Sequence, residues 1–93
     1  MEINHIESEG KGTFVAVDDD IQLGEIAYNM NNEGRLVITQ TGVEAAAKGR
    51  GVGRSLVYKV ADYARVNQLK IVPICPFAKS IFDRHRDIQD VLA

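Results

Sequence analysis

Lys48-Gly49-Arg50-Gly51-Val52-Gly53-Arg54-Ser55 sets three glycines at alternate positions with basic side chains among them. This combination suits an anion. Missing Cβ atoms let the backbone approach a ligand closely, and the free N–H groups and dipole of a following helix attract phosphate. The bland alternative is a helix that starts in a glycine-rich turn and binds nothing. Against it, glycine lowers helix stability by about 1 kcal/mol relative to alanine, so three within five residues need a compensating reason. Cys75 stands directly before Pro76, where a helix start would lower the pKa of its thiol, although most free cysteines are small buried apolar residues. Glu44 is a possible base or simply a solvated loop carboxylate. His5 and His85 are far apart and fit no metal-ligand spacing, so no metal site is expected. His85 reads as a cation at a helix end.

The elements around these residues follow from periodicity. Val52, Leu56, Val57, Val60 and Ala64 form one helical stripe, and Leu36 to Val43 before them has the β-branched content of a strand. Thr13 to Val17 and a stretch restarting at Ile21 make an earlier hairpin across the turn Asp18-Asp19-Asp20. That acidic triplet lacks the alternation and distant Glu of a calcium loop. Ile21 and Leu23 share one parity, whereas Ile26, Tyr28 and Met30 share the other. A bulge at Gly24 would bring all of them to one face. Asn31 to Gly34 is a second turn, so residues 13–43 read as an antiparallel meander. After the helix, Lys70 to Cys75 reads as a strand lying parallel to the third one, with Pro73 leaving it unpaired along one side. Pro76 then opens a short helix with Phe77, Ala78, Ile81 and Phe82 on its apolar face. Asp87 to Ala93 is expected to be a turn of helix or a tail. Tyr28, Tyr58 and Tyr63 read most simply as core or surface aromatics, with lining of an acceptor cleft the alternative for Tyr28 on its central strand.

Composition bounds the rest. Ninety-three residues with 45% apolar content make one small domain, which gains from a partner such as a second copy in a homodimer. Net charge is −2, so the basic loop is local, and nucleic acid is not the expected partner. One cysteine excludes a disulfide framework and suits a reducing compartment. No apolar run approaches the ~20 residues that span a bilayer, so no membrane partner is expected. The N-terminus lacks signal-peptide character, which makes the expected location cytoplasmic.

Three phosphate-loop patterns can be compared with the glycines. No glycine is followed by Lys-Ser or Lys-Thr, as a P-loop requires, and Arg54 stands where a dinucleotide fingerprint needs its third glycine. The third pattern is Arg/Gln-x-x-Gly-x-Gly/Ala, the coenzyme A loop of the GNAT superfamily of N-acetyltransferases. Lys48 to Gly53 resembles it closely, with Lys at the first position and the strand-ending Val43 five residues earlier. The likeness covers roughly residues 13–86. Pro73-Ile74-Cys75-Pro76-Phe77 further resembles the Pro-x-Cys-Pro-Phe signature of a short, truncated acetyltransferase subgroup, in which His often stands where this chain has Gln40.

The resemblance implies an α/β (α+β) domain over residues 1–93: meander, long helix, parallel splayed strand and short helix, without the last two strands of full-length members. It implies acetyl-CoA as co-substrate, lying where the two parallel strands part. Its pantetheine arm would pair with backbone near Thr39, Thr41 and Val43. Its phosphates would meet the loop of Lys48, Gly49, Arg50, Gly51, Val52, Gly53, Arg54 and Ser55, each charge-assisted bond being worth about 1.5–3 kcal/mol. A family motif commonly written Asn-x-x-Ala-x-x-x-Tyr falls on Cys75 to Phe82, with Cys for Asn and Phe for the tyrosine that often protonates the leaving thiolate. Cys75 could take over that acid role or carry the acyl group transiently. The implied activity is acetyl transfer to an unidentified amine by direct attack. The alternatives are an acyl-CoA-binding or sensing module with little catalysis, and a structural domain whose loop binds no nucleotide.

Overall fold

A computed structural model describes all 93 residues. Its strands are β1 (Glu2–Ser8), β2 (Lys11–Asp18), β3 (Ile21–Met30), β4 (Leu36–Val43) and β5 (Ile71–Pro73). Its helices are α1 (Val52–Val66) and α2 (Pro76–Arg84), and Ala45–Ala47 and Arg86–Val91 form 3-10 turns. The five strands form one sheet in chain order, antiparallel from β1 to β4 and parallel between β4 and β5. The expected mixed α/β architecture is therefore present, with an extra strand. Glu2–Ser8 pairs with β2 from Lys11 to Val17, and the turn between them is Glu9-Gly10, inside the breaker-rich stretch. Asp19 and Asp20 in the next turn adopt φ values of 46° and 68°, a region that Asp tolerates better than most residues.

Two bulges set which side chains face inward. The first shifts the β2–β3 register beside Leu23, next to Gly24. It turns Leu23, Ile26 and Tyr28 toward the core but leaves Ile21 66% exposed, so the expected realignment stops one residue pair short. Gly24 is needed there, because a Cβ would come within 2.7 Å of the Gly42 carbonyl oxygen. The second bulge makes Thr39 the extra residue of β4, between the pairs Tyr28↔Ile38 and Ala27↔Gln40.

Both helices cover one sheet face. The stripe of α1 (Val52, Leu56, Val57, Val60, Ala61, Ala64) meets Phe14, Ile26, Leu36, Ile38 and Ile71 from the strands and Ala78, Ile81 and Phe82 from α2 in one continuous core. At about 1.5–3 kcal/mol per large side chain buried, this face supplies most of the drive to fold. Tyr28 lies within this core at 4% exposure, the simpler of its two expected placements. It is tilted against Phe14 and Tyr63, with its hydroxyl 2.6 Å from His5 Nε2. Burial first, then the neighbouring Tyr63, push its ionisation far above the ordinary phenol range.

β5 follows β4 only from Leu36 to Ile38. The amides of Ile74 and Cys75 both turn back to the Ile38 carbonyl, at 3.1 and 3.3 Å, and the two strands then part. On its outer side β5 is bridged in parallel by Leu92, and the Ala93 N–H donates to the Ile71 carbonyl at 3.0 Å. Arg65 holds this C-terminal segment down, bonding Asp90 through two nitrogens and the Asp87 carbonyl through a third contact. No helix is long and apolar enough to cross a membrane.

Candidate functional site

Where β4 and β5 separate, a cavity of about 1030 Å³ opens between the distal half of β4, the glycine loop and one side of α2. Glu44 N–H bonds to the Leu23 carbonyl and Gly42 is turned toward β3, so strand alternation leaves the backbone groups of Thr41 and Val43 facing the gap. The Thr39 bulge creates this phase. Without the extra residue, Gln40 and Gly42 would stay in step with Leu36 and Ile38 and take the places of Thr41 and Val43.

The loop presents its amides to the same cavity. Gly49 and Gly51 adopt φ values of 85° and 75°, in the left-handed region that favours glycine, and Gly51 caps α1. The first internal helical bond is Ser55 N–H to the Gly51 carbonyl. The N–H groups of Gly49, Gly51, Val52, Gly53 and Arg54 therefore have no intramolecular acceptor, whereas that of Arg50 bonds back to Ala47. Gly53 has a different purpose from its neighbours: a Cβ there would sit 2.6 Å from the Phe77 ring. The α1–α2 contact, rather than room for a ligand, requires that glycine.

Charge in the cavity is one-sided. Lys48, Arg50, Arg54, Arg84 and His85 line it together with Thr41, Val43, Phe77 and Ile81, and no carboxylate does. Arg50 is partly neutralised by Asp18 at 3.1 Å; that guanidinium, followed by the chain's amino terminus, holds the Asp18 carboxyl below its usual range.

Cys75 caps α2 at 7% exposure, at the inner end of the gap. Its thiol lies 3.6 Å from the Thr41 hydroxyl. It makes no cap hydrogen bond, and burial opposes its ionisation. Even so, the Ala78 amide, the Thr41 hydroxyl and the Phe77 amide together outweigh burial and hold the thiol below its ordinary pKa.

The structure thus gathers Thr41, Val43, Lys48, Gly49, Arg50, Gly51, Val52 and Arg54 around one cavity, with Cys75 touching it through Thr41. It places others elsewhere. The Thr39 hydroxyl donates to the Ala27 carbonyl at 3.2 Å, Gly53 lies beneath Phe77, and Ser55 faces a groove with Tyr58 and Lys59. Glu44 lies in a separate shallow groove with Asp18, Asp19 and Arg50. Sequence reasoning missed Arg84 and His85 as lining residues. Their signal was the spacing of Phe77, Ile81 and Arg84, which puts all three on one side of α2.

A family model described as GCN5-related N-acetyl-transferase matches residues 13–91. The chain belongs to this family. Within it, streptothricin acetyltransferase A of Bacillus subtilis (strain 168) is 28% identical over 67 residues, which are 72% of this chain and 39% of that protein. The chain therefore spans well under half the length of that curated relative. The NMR solution structure of a GCN5-like candidate N-acetyltransferase from Staphylococcus aureus matches with a TM-score of 0.72 and 33% identity, covering 97% of this chain and 87% of that one. In this GCN5-related chain Phe82 is fully buried in the core.

Proposed function

We propose that this GCN5-related protein transfers the acetyl group of acetyl-CoA to an amine. The observation that carries the proposal is the cavity itself, where the acceptor-free amides of Gly49, Gly51, Val52 and Arg54 meet five basic side chains with no carboxylate among the lining residues. The loop amides, with Lys48 and Arg50 beside them, suit a pyrophosphate, and the edge groups of Thr41 and Val43 suit the amides of a pantetheine arm. Acetyl-CoA supplies an activated thioester. The amine nitrogen bonds the carbonyl carbon, the carbon–sulfur bond breaks, and the amine's proton leaves to water.

Cys75 is the group we assign to protonating the departing thiolate. A thiol held below its ordinary pKa is a stronger acid than an unperturbed thiol such as the coenzyme's, and the Cys75 thiolate left behind takes a proton back from water. Glu44 stands outside the cavity and is given no part in this path. Calorimetry with acetyl-CoA followed by turnover against a panel of primary amines tests the reading. Binding with amine-dependent release of free coenzyme thiol is expected, and absence of binding overturns it.

A second reading is favoured by Phe82 alone, since a buried phenylalanine supplies no proton. On that reading the domain binds acyl-CoA without efficient turnover. Tight binding combined with silence across the amine panel selects it.

A further inference from the structure

We propose that Arg54, Arg84 and His85 form a second anion subsite that reads a phosphate monoester on the ligand's ribose, so that the protein distinguishes coenzyme A from dephospho-coenzyme A. The inference rests on the coenzyme reading above and adds a specificity determinant to it. The amides of the loop belong to one wall of the cavity, at the start of α1. Arg84 and His85 belong to the other wall, at the far end of α2. A diphosphate seated on the amides leaves the basic side chains of the opposite wall without a partner from that group.

These side chains also lack carboxylate partners within the chain, Arg84 Nε donating to the Ser80 carbonyl at 3.3 Å. Arg35, Arg50, Arg65 and Lys79 each pair with a carboxylate, whereas Arg54 and Arg84 pair with none. In a chain with 13 acidic and 11 basic residues, two neighbouring unpaired arginines in a cavity free of carboxylates mark a place for a foreign anion. Arg54 folds toward the loop, its Nη2 lying 3.8 Å from where a Cβ of Gly51 would be. His85 is held from behind: its ring meets Tyr58 edge-on at 5.6 Å, and the Tyr58 hydroxyl donates to Asp87 at 2.8 Å. Arg65 anchors the same segment through the Asp87 carbonyl at 2.6 Å. Past Arg54 and His85 the cavity adjoins a groove with Lys59 and Asp62, where the carboxylate-free lining ends. A monoester with about two negative charges is the anion this arrangement fits, and the ribose phosphate is the group that separates coenzyme A from its dephospho form.

The test is calorimetry on the full chain with coenzyme A and dephospho-coenzyme A, for the wild type, Arg84→Gln and His85→Gln. The wild type is expected to bind coenzyme A at least about tenfold more tightly. Arg84→Gln should shrink that gap to about twofold or less while its affinity for the dephospho form and its melting temperature stay unchanged. Equal affinity of the two ligands in the wild type overturns the subsite and leaves the coenzyme reading standing. So does a full gap retained in both variants. Binding of neither ligand overturns the coenzyme reading, and the subsite falls with it.

Discussion

The Cys75 thiol reaches the Thr41 hydroxyl at 3.6 Å, a contact across the gap between β4 and β5 beyond the point where their backbones cease to pair. When the thiol ionises, the hydroxyl can reverse its role and donate to the sulfur. The sulfur is thereby coupled to the edge on which we seat the pantetheine arm.

Alkylation of Cys75 should therefore rise with pH through a midpoint below the 9.0 of an ordinary thiol. Thr41→Val should move that midpoint up by removing a donor. The linkage has the sign of a depressed acid. Stability gained from the thiolate is fully present above the unfolded value and is lost as pH falls through the folded one. The melting-temperature difference between the wild type and Cys75→Ala should thus grow between the folded midpoint and pH 9.0. A midpoint at or above 9.0 would remove the basis for the acid role.

Gly51 and Gly53 should respond differently to alanine. Gly51→Ala meets only the Arg54 Nη2, at an ordinary contact distance of 3.8 Å, but must hold φ near 75°, which costs about 1–2 kcal/mol through backbone strain alone. Gly53→Ala instead collides with Phe77, which is 42% exposed and free to swing toward the cavity. We expect acetyl-CoA affinity to fall by roughly tenfold in Gly53→Ala, about 1.4 kcal/mol. The double variant Gly53→Ala/Phe77→Ala should recover most of it. No recovery would mean that the Gly53 backbone itself is what the ligand needs.

Gly12→Ala tests the opposite end of the sheet. The added methyl would enter the ring of Tyr28, which Phe14, His5 and Tyr63 hold in place. Overpacking of this kind costs about 1–3 kcal/mol, read as a lower denaturation midpoint with unchanged coenzyme affinity.

Arg65→Lys should fail to replace Arg65. The guanidinium spans both Asp90 oxygens, the Asp87 carbonyl and Asp62, a geometry that an ammonium cannot copy. We expect faster hydrogen exchange at Ala93 and a melting temperature lower by several degrees. The Arg65 bond also holds the Asp90 carboxyl below its ordinary range, so this contribution is present above the unfolded carboxylate pKa and lost as pH falls through the folded one. The gap between wild type and variant should close in acid.

Much of this arrangement was legible in the residues. The meander, the α1 stripe and the loop follow from periodicity and glycine spacing, which local sterics enforce. β1 was not, because His5 and Ile3 face inward between polar neighbours, giving a weak alternation next to a breaker-rich turn. The purpose of Gly53 was hidden because its partner Phe77 is distant in sequence and only tertiary packing brings the ring over it. Arg84 and His85 were visible as helix-end cations. Their convergence with Arg54 required knowing how α2 lies against α1. Ile21 shows the limit of parity arguments: one bulge realigns the residues after it and leaves those before it turned outward.

Leu92 and Ala93 occupy the free side of β5, whereas the outer side of β1 carries no strand along its seven residues. Growth of the sheet by strand addition therefore has a preferred direction. A chain joining at β5 must first peel away a segment clamped by Arg65, whereas one joining at β1 finds unpaired backbone groups immediately. Glu2 and Glu7 on that open strand repel an in-register copy of themselves, a charge fence at the edge most exposed to self-association.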